Sequence, residues 1–121
     1  MKIVLCCQIP SGKNAMQTTR TGQHYAAPRF KVWREDAALQ VKAQVIHKHV
    51  KPVDYPVRLK VNYTAGDHRT RDVSGMLDAL FHLLVYSAIL KDDGLVRDVL
   101  WYWEGMDRKC PKVVMELTPC G

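Results

Sequence analysis

The chain has 121 residues, enough for one hydrophobic core and too few for two independent ones, so residues 1–121 read as a single domain. With 47% hydrophobic and 25% charged residues it has the composition of an ordinary globular protein, and no apolar run reaches the roughly 18 residues needed to cross a bilayer, which excludes a helical membrane protein. The formal charge of +6 is unevenly placed: Lys2, Lys13, Arg20, Arg29, Lys31 and Arg34 precede the first acidic residue, Glu35, while the other 12 of the 18 basic residues are balanced by the 12 acidic ones.

Such an asymmetry suits a surface for a polyanion, because every phosphate neutralised by Lys or Arg releases a counterion. Charge alone fits a merely soluble basic surface equally well. Met1 to Ile9 is too short in its apolar part, and lacks the small-residue cleavage site, for a secretory signal; a cytoplasmic protein is expected. Cys6, Cys7, Cys110 and Cys120 include no C-x-x-C pair, so no zinc site is expected, and Cys6 and Cys7 are expected as small buried hydrophobes.

In chain order, Lys2–Ile9 predicts a first strand, stopped by Pro10-Ser11-Gly12. From Pro10 to Pro28 the chain is rich in Gly, Thr, Gln and basic residues without periodicity, and a long exposed loop is expected. Gly12-Lys13 is not a phosphate-binding P-loop, since Cys7 stands where the first glycine belongs and Asn14 where Ser or Thr belongs. Phe30, Trp33, Ala37, Val41 and Val45 recur at helical spacing and predict an amphipathic helix over about 30–48, with Trp33 a core anchor. Pro52 and Pro56 mark a turn. Val57 to Tyr63 then alternates with period two, a half-buried strand with Arg58 and Lys60 outward.

Asp67 to Arg71 is a polar loop, Asp72 is placed to cap a helix, and Val73 to Leu90 is a dense apolar stretch that predicts a mostly buried helix. Lys91-Asp92-Asp93-Gly94 reads as a turn, Leu95–Glu104 as a strand, and Val113–Leu117 as a last short strand. The order β, loop, α, β, α, β, β predicts an α+β (mixed α/β) fold with one sheet of about four strands packed by two helices.

Asp72 at one end of the buried helix and Asp92-Asp93 past the other are the residues most suited to chemistry. Carboxylates from separate chain positions that converge on one point are what Mg²⁺ requires, and such an ion activates water for phosphodiester hydrolysis. The plainer reading is that Asp72 only caps a helix and Asp92-Asp93 only make a turn.

The stretch Arg69 to Asp93, R-T-R-D-V-S-G-M-L-D-A-L-F-H-L-L-V-Y-S-A-I-L-K-D-D, resembles the signature of the RusA-type crossover-junction endodeoxyribonucleases: a basic run before D-x-D-N-x-x-K, an apolar helix with D-A-L, then an Asp-Asp pair before a strand. Ile9-Pro10-Ser11, Lys13-Asn14 and Phe30 to Gln44 are similar to the family's opening strand, loop and first helix. The resemblance implies a homodimer that binds four-way DNA junctions and cuts them symmetrically in recombination and repair. It implies Mg²⁺, with Mn²⁺ as an alternative, and a bacterial or phage-infected cytoplasm.

Carried over by position, the resemblance makes Asp72 and Asp93 catalytic metal ligands, with Asp92 beside them. Ser74 stands at the family's second motif Asp, Gly75 at its Asn and Asp78 at its Lys. Ser74, Asp78 and His82 fall on one stripe at i, i+4 and i+8. Either Asp78 supplies the missing carboxylate, or Asp78 and His82 satisfy one another, and the second is favoured. Arg69 and Arg71 are expected to hold phosphates beside the metal, with Lys13, Arg20 and Arg29 extending the DNA surface. A junction-binding protein of the same fold that has lost cleavage through Ser74 and Asp78 is the alternative.

Overall fold

In the computed structural model, which describes residues 1–10, 16–18, 24–26, 28–45, 51–69 and 71–120, four strands form one mixed sheet in the order β1-β6-β4-β5. The strands are β1 (Lys2–Leu5), β4 (Val57–Ala65), β5 (Val96–Met106) and β6 (Lys112–Pro119). β4 pairs antiparallel with β6, β6 antiparallel with β1, and β4 parallel with β5. A parallel neighbour needs a crossover, and α2 (Val73–Tyr86) supplies it. Helix α1 (Pro28–Val45) follows a two-stranded ribbon of β2 (Met16–Thr18) and β3 (His24–Ala26). The expected α+β fold with a four-stranded sheet and two helices is therefore present.

Period-two alternation makes the core. Val57, Leu59, Val61, Tyr63 and Ala65 are buried in β4, and register places them against Val113, Met115 and Leu117 of β6, which in turn meet Ile3 and Leu5 of β1. Phe30, Ala37, Ala38, Val41 and Val45 of α1 and Met76, Ala79, Leu80, Leu83 and Leu84 of α2 close over the same layer as one cluster. Trp33 packs on that cluster with its ring 5.5 Å from Phe30, as an anchor should.

Several boundaries differ from expectation. α1 starts at Pro28, where a proline at the first helical position costs no hydrogen bond, and its described part ends at Val45. β1 ends at Leu5, and the segment expected as a plain loop carries the β2–β3 ribbon, whose three-residue strands are too short to show periodicity. Cys6 is exposed, not buried: beyond the strand end it is no longer held to either sheet face. Burial raises the Cys7 thiol above its ordinary value.

The two edges of the sheet are treated differently. On β1 the Val4 N–H donates to Gln44 Oε1 at 2.8 Å, Gln44 Nε2 donates back to the Val4 carbonyl, and the Cys6 N–H donates to Gln40 Oε1 at 2.8 Å. Two glutamines of α1 thus stand where a neighbouring strand would. β5, at the other edge, is 11 residues long and has no such cover among the described residues.

Helix α2 ends in a Schellman arrangement. The Ile89 N–H donates to the Leu84 carbonyl at 3.0 Å and the Ala88 N–H to the Val85 carbonyl at 3.1 Å, while Ala88 takes the left-handed backbone at φ 57°. The chain then runs beside Val53 through a parallel bridge to Leu90 before entering β5.

Candidate active site

Asp72 caps α2: its backbone is extended, and its side-chain oxygen accepts from the Ser74 N–H at 3.0 Å. The side chain stays exposed at the end of the fold where β4 finishes. Asp92 and Asp93 lie at the other end. Asp92 precedes, and Asp93 opens, the short 3-10 turn Asp93–Leu95 that leads into β5, and both side chains are exposed. The Asp92 carboxylate curls toward Gly94, where an added Cβ would meet Oδ2 at 3.1 Å.

The separation follows from topology. α2 runs back from the C-terminal end of β4 to the N-terminal end of β5, and its 14 residues span about 21 Å. Asp72 and Asp93 of one chain therefore sit at opposite ends of one helix. No group of three or more His, Cys, Asp or Glu side chains gathers among the described residues. Asp72 and the Asp92-Asp93 pair of one chain therefore lie too far apart to share one Mg²⁺.

The two arginines beside Asp72 have different roles. Arg71 is largely enclosed: its NH2 nitrogen donates to both oxygens of Asp67, at 2.9 and 2.8 Å, and to Gln8 Oε1 at 3.0 Å. Gln8 Oε1 also accepts from the Gly66 N–H at 3.0 Å, and Gln8 Nε2 donates to Asp67. This knot ties the end of β1 to the end of β4. A Cβ on Gly66 would meet Gln8 Cδ at 3.0 Å, so a larger residue there would have to displace the Gln8 side chain. Arg71, expected to hold phosphate, thus already has Asp67 as a carboxylate partner. Arg69 keeps an exposed side chain, and only its backbone N–H is committed, to Asp67 Oδ1 at 3.0 Å.

The polar stripe of α2 is also resolved. Ser74 and Asp78 are exposed, one turn apart. His82 does not pair with Asp78: its Nε2 lies 3.3 Å from an Arg34 guanidinium nitrogen, with Phe30 edge-on at 5.2 Å and the Tyr86 ring stacked at 6.1 Å. Burial, then the Arg34 charge, lowers the pKa of His82, so the neutral ring accepts from Arg34. Arg34 also lies over the Tyr86 ring at 4.3 Å, and the Tyr86 hydroxyl donates to Glu35 at 2.9 Å. The i+4 spacing suggested Asp78 for His82, but α1 packs across that face and brings Arg34 closer.

Of the expected DNA-contacting residues, Arg29 is exposed in the first turn of α1, whereas Lys13 and Arg20 lie outside the described residues. Gln8 had no readable sequence signal as a partner of Arg71, from which it is 63 positions away, whereas Asp67, four residues before Arg71, was within reach of local spacing. In comparisons with known proteins, no family profile and no curated protein matches the chain.

Proposed function

We propose that this protein is a metal-dependent, structure-selective DNA endonuclease that hydrolyses phosphodiesters at four-way junctions in recombination and repair, working as a homodimer in the cytoplasm. The observation that carries the reading is the pairing of an exposed Asp72 with an exposed Asp92-Asp93 at the two ends of one buried helix, in the order and spacing of the RusA-type signature.

Because Asp72 and Asp92-Asp93 lie at opposite ends of α2 within one chain, Asp72 of one copy works with Asp92 and Asp93 of a second. A twofold axis makes two such sets, matching the approximate twofold symmetry of a four-way junction. Mg²⁺ or Mn²⁺ is the hard, oxygen-preferring ion such a set takes. Arg69 and Arg29, exposed and cationic, hold backbone phosphates. Ser74, where the family has a carboxylate, favours the second reading, a junction-binding protein without cleavage.

Mixing inactive variants tests the assignment. Asp72→Asn and Asp93→Asn should each abolish magnesium-dependent nicking of a four-way junction while leaving binding intact. Equimolar mixing and exchange should then restore about a quarter of parental nicking, because half the dimers are mixed and each has one intact site. No recovery overturns the two-copy site. A parent that binds junctions but never cuts with Mg²⁺ or Mn²⁺ establishes the second reading.

A further inference from the structure

We infer that the outer edge of β5 is the surface on which a second copy of this chain docks, by antiparallel strand pairing across a twofold axis. This deepens the nuclease reading by naming the face that would join the two copies, and it rests on that reading only for the sharing of carboxylates.

An unprotected edge strand presents a row of unpaired N–H and C=O groups, and monomeric proteins guard such edges with Lys, Pro, bulges or a covering element. This fold guards β1 with Gln40 and Gln44. β5 is irregular only near its ends, where the register against β4 skips Arg97 and Glu104. Between them runs Asp98-Val99-Leu100-Trp101-Tyr102-Trp103, with no lysine, no proline and five consecutive apolar or aromatic side chains. Register against β4 sets Val99, Trp101 and Trp103 on the helix-covered face and Leu100 and Tyr102 on the other.

The apolar side chains remain partly uncovered on both faces. Leu100 is 36% and Tyr102 46% exposed on one face, and Trp103 is 50% exposed on the other. Trp103 is nevertheless held in place, its ring 5.7 Å from Trp101 and 5.6 Å from Tyr63.

The run complements itself. Antiparallel pairing centred on Trp101 sets Val99 against the second copy's Trp103 and Leu100 against its Tyr102, a smaller side chain facing a larger aromatic one on each face. The acidic residues flanking the run are engaged within their own chain, Asp98 by Arg58 at 2.7 Å and Glu104 by Asn62. A contact that pairs one strand with itself is isologous and closes at two copies.

The same operation reverses the strand direction. It lays the C-terminal end of one β5, the end at which Asp72 starts α2, beside the N-terminal end of the other, which Asp93 precedes by three residues. The ends that topology separates in one chain thus meet between two.

Light scattering coupled to size exclusion, run on the full chain, should give twice the chain mass. Leu100→Lys with Tyr102→Lys, both exposed and therefore tolerable in the folded monomer, should give the single-chain mass with unchanged circular dichroism. Hydrogen exchange on the unaltered protein provides a reading free of any folding defect: the amides among residues 98–103 that point away from β4 should exchange at least tenfold more slowly well above the dimer dissociation constant than well below it. A parent that is monomeric at all concentrations, or a dimer whose β5 amides show no such dependence, overturns the inference. Chain mass is read apart from cleavage, so a dimer that the double variant dissociates but that cuts no DNA would sink the nuclease reading and leave the interface standing.

Discussion

Arg71 and Asp67, four residues apart beyond the end of β4, form an ion pair at 2.8 Å, so the guanidinium expected to hold phosphate already has a carboxylate partner. The Arg71 guanidinium, then the Arg69 N–H, holds the Asp67 carboxyl at about 2, against an ordinary 3.8. The folded value lies below the ordinary one, so the pair's contribution is fully present above about pH 4 and is lost as pH falls toward 2. Asp67→Asn should flatten this part of the acid transition, read as melting temperature against pH. An acid slope equal to the parent's would show that the pair adds nothing to stability.

Ser74 and Asp78 decide how complete the proposed carboxylate set is. Both are exposed on α2, the first two residues beyond Asp72 and the second one turn further on. If a ligand is missing, Ser74→Asp should lower the magnesium concentration for half-maximal cleavage. If Asp78 already serves, Ser74→Asp should crowd two carboxylates and bring no gain, while Asp78→Asn should impair cleavage severely. Unchanged magnesium dependence and rate in both variants would remove these positions from the site.

The cation-rich first third of the chain should carry much of the salt dependence of DNA binding. Replacing Lys13, Arg20 and Arg29 together with Gln should weaken binding across sequences and lower the logarithmic salt slope by roughly one for each lost phosphate contact. A slope equal to the parent's would place the DNA surface elsewhere.

Ala88 is a stability lever outside the site. A non-glycine residue in the left-handed region costs roughly 1–2 kcal/mol, and glycine's greater freedom in the unfolded chain takes back about 0.4–1 kcal/mol. Ala88→Gly should therefore stabilise by about 0.5–1 kcal/mol in urea unfolding. Destabilisation would mean that the Ala88 methyl group contributes packing that outweighs the strain.

The sequence alone determined what local periodicity and chemistry can carry. Val57 to Tyr63 alternates because one face of β4 is core; α2 reads as buried because eight of the twelve positions from Val73 to Leu84 are apolar and the polar ones, Ser74, Asp78 and His82, share one stripe; and Asp72 reads as a cap because its carboxylate suits the free N–H groups of a helix start. Tertiary structure alone decided which distant groups meet. Charge and spacing cannot show that Gln8 joins Asp67 around Arg71, or that Arg34 rather than Asp78 reaches His82, because those contacts depend on how β1 and α1 pack against β4 and α2. The placement of Asp93 is the clearest instance. Adjacency around a helix suggested convergence with Asp72, but a crossover between parallel strands must carry the chain from one end of the sheet to the other, so the same helix that links the two carboxylates holds them apart.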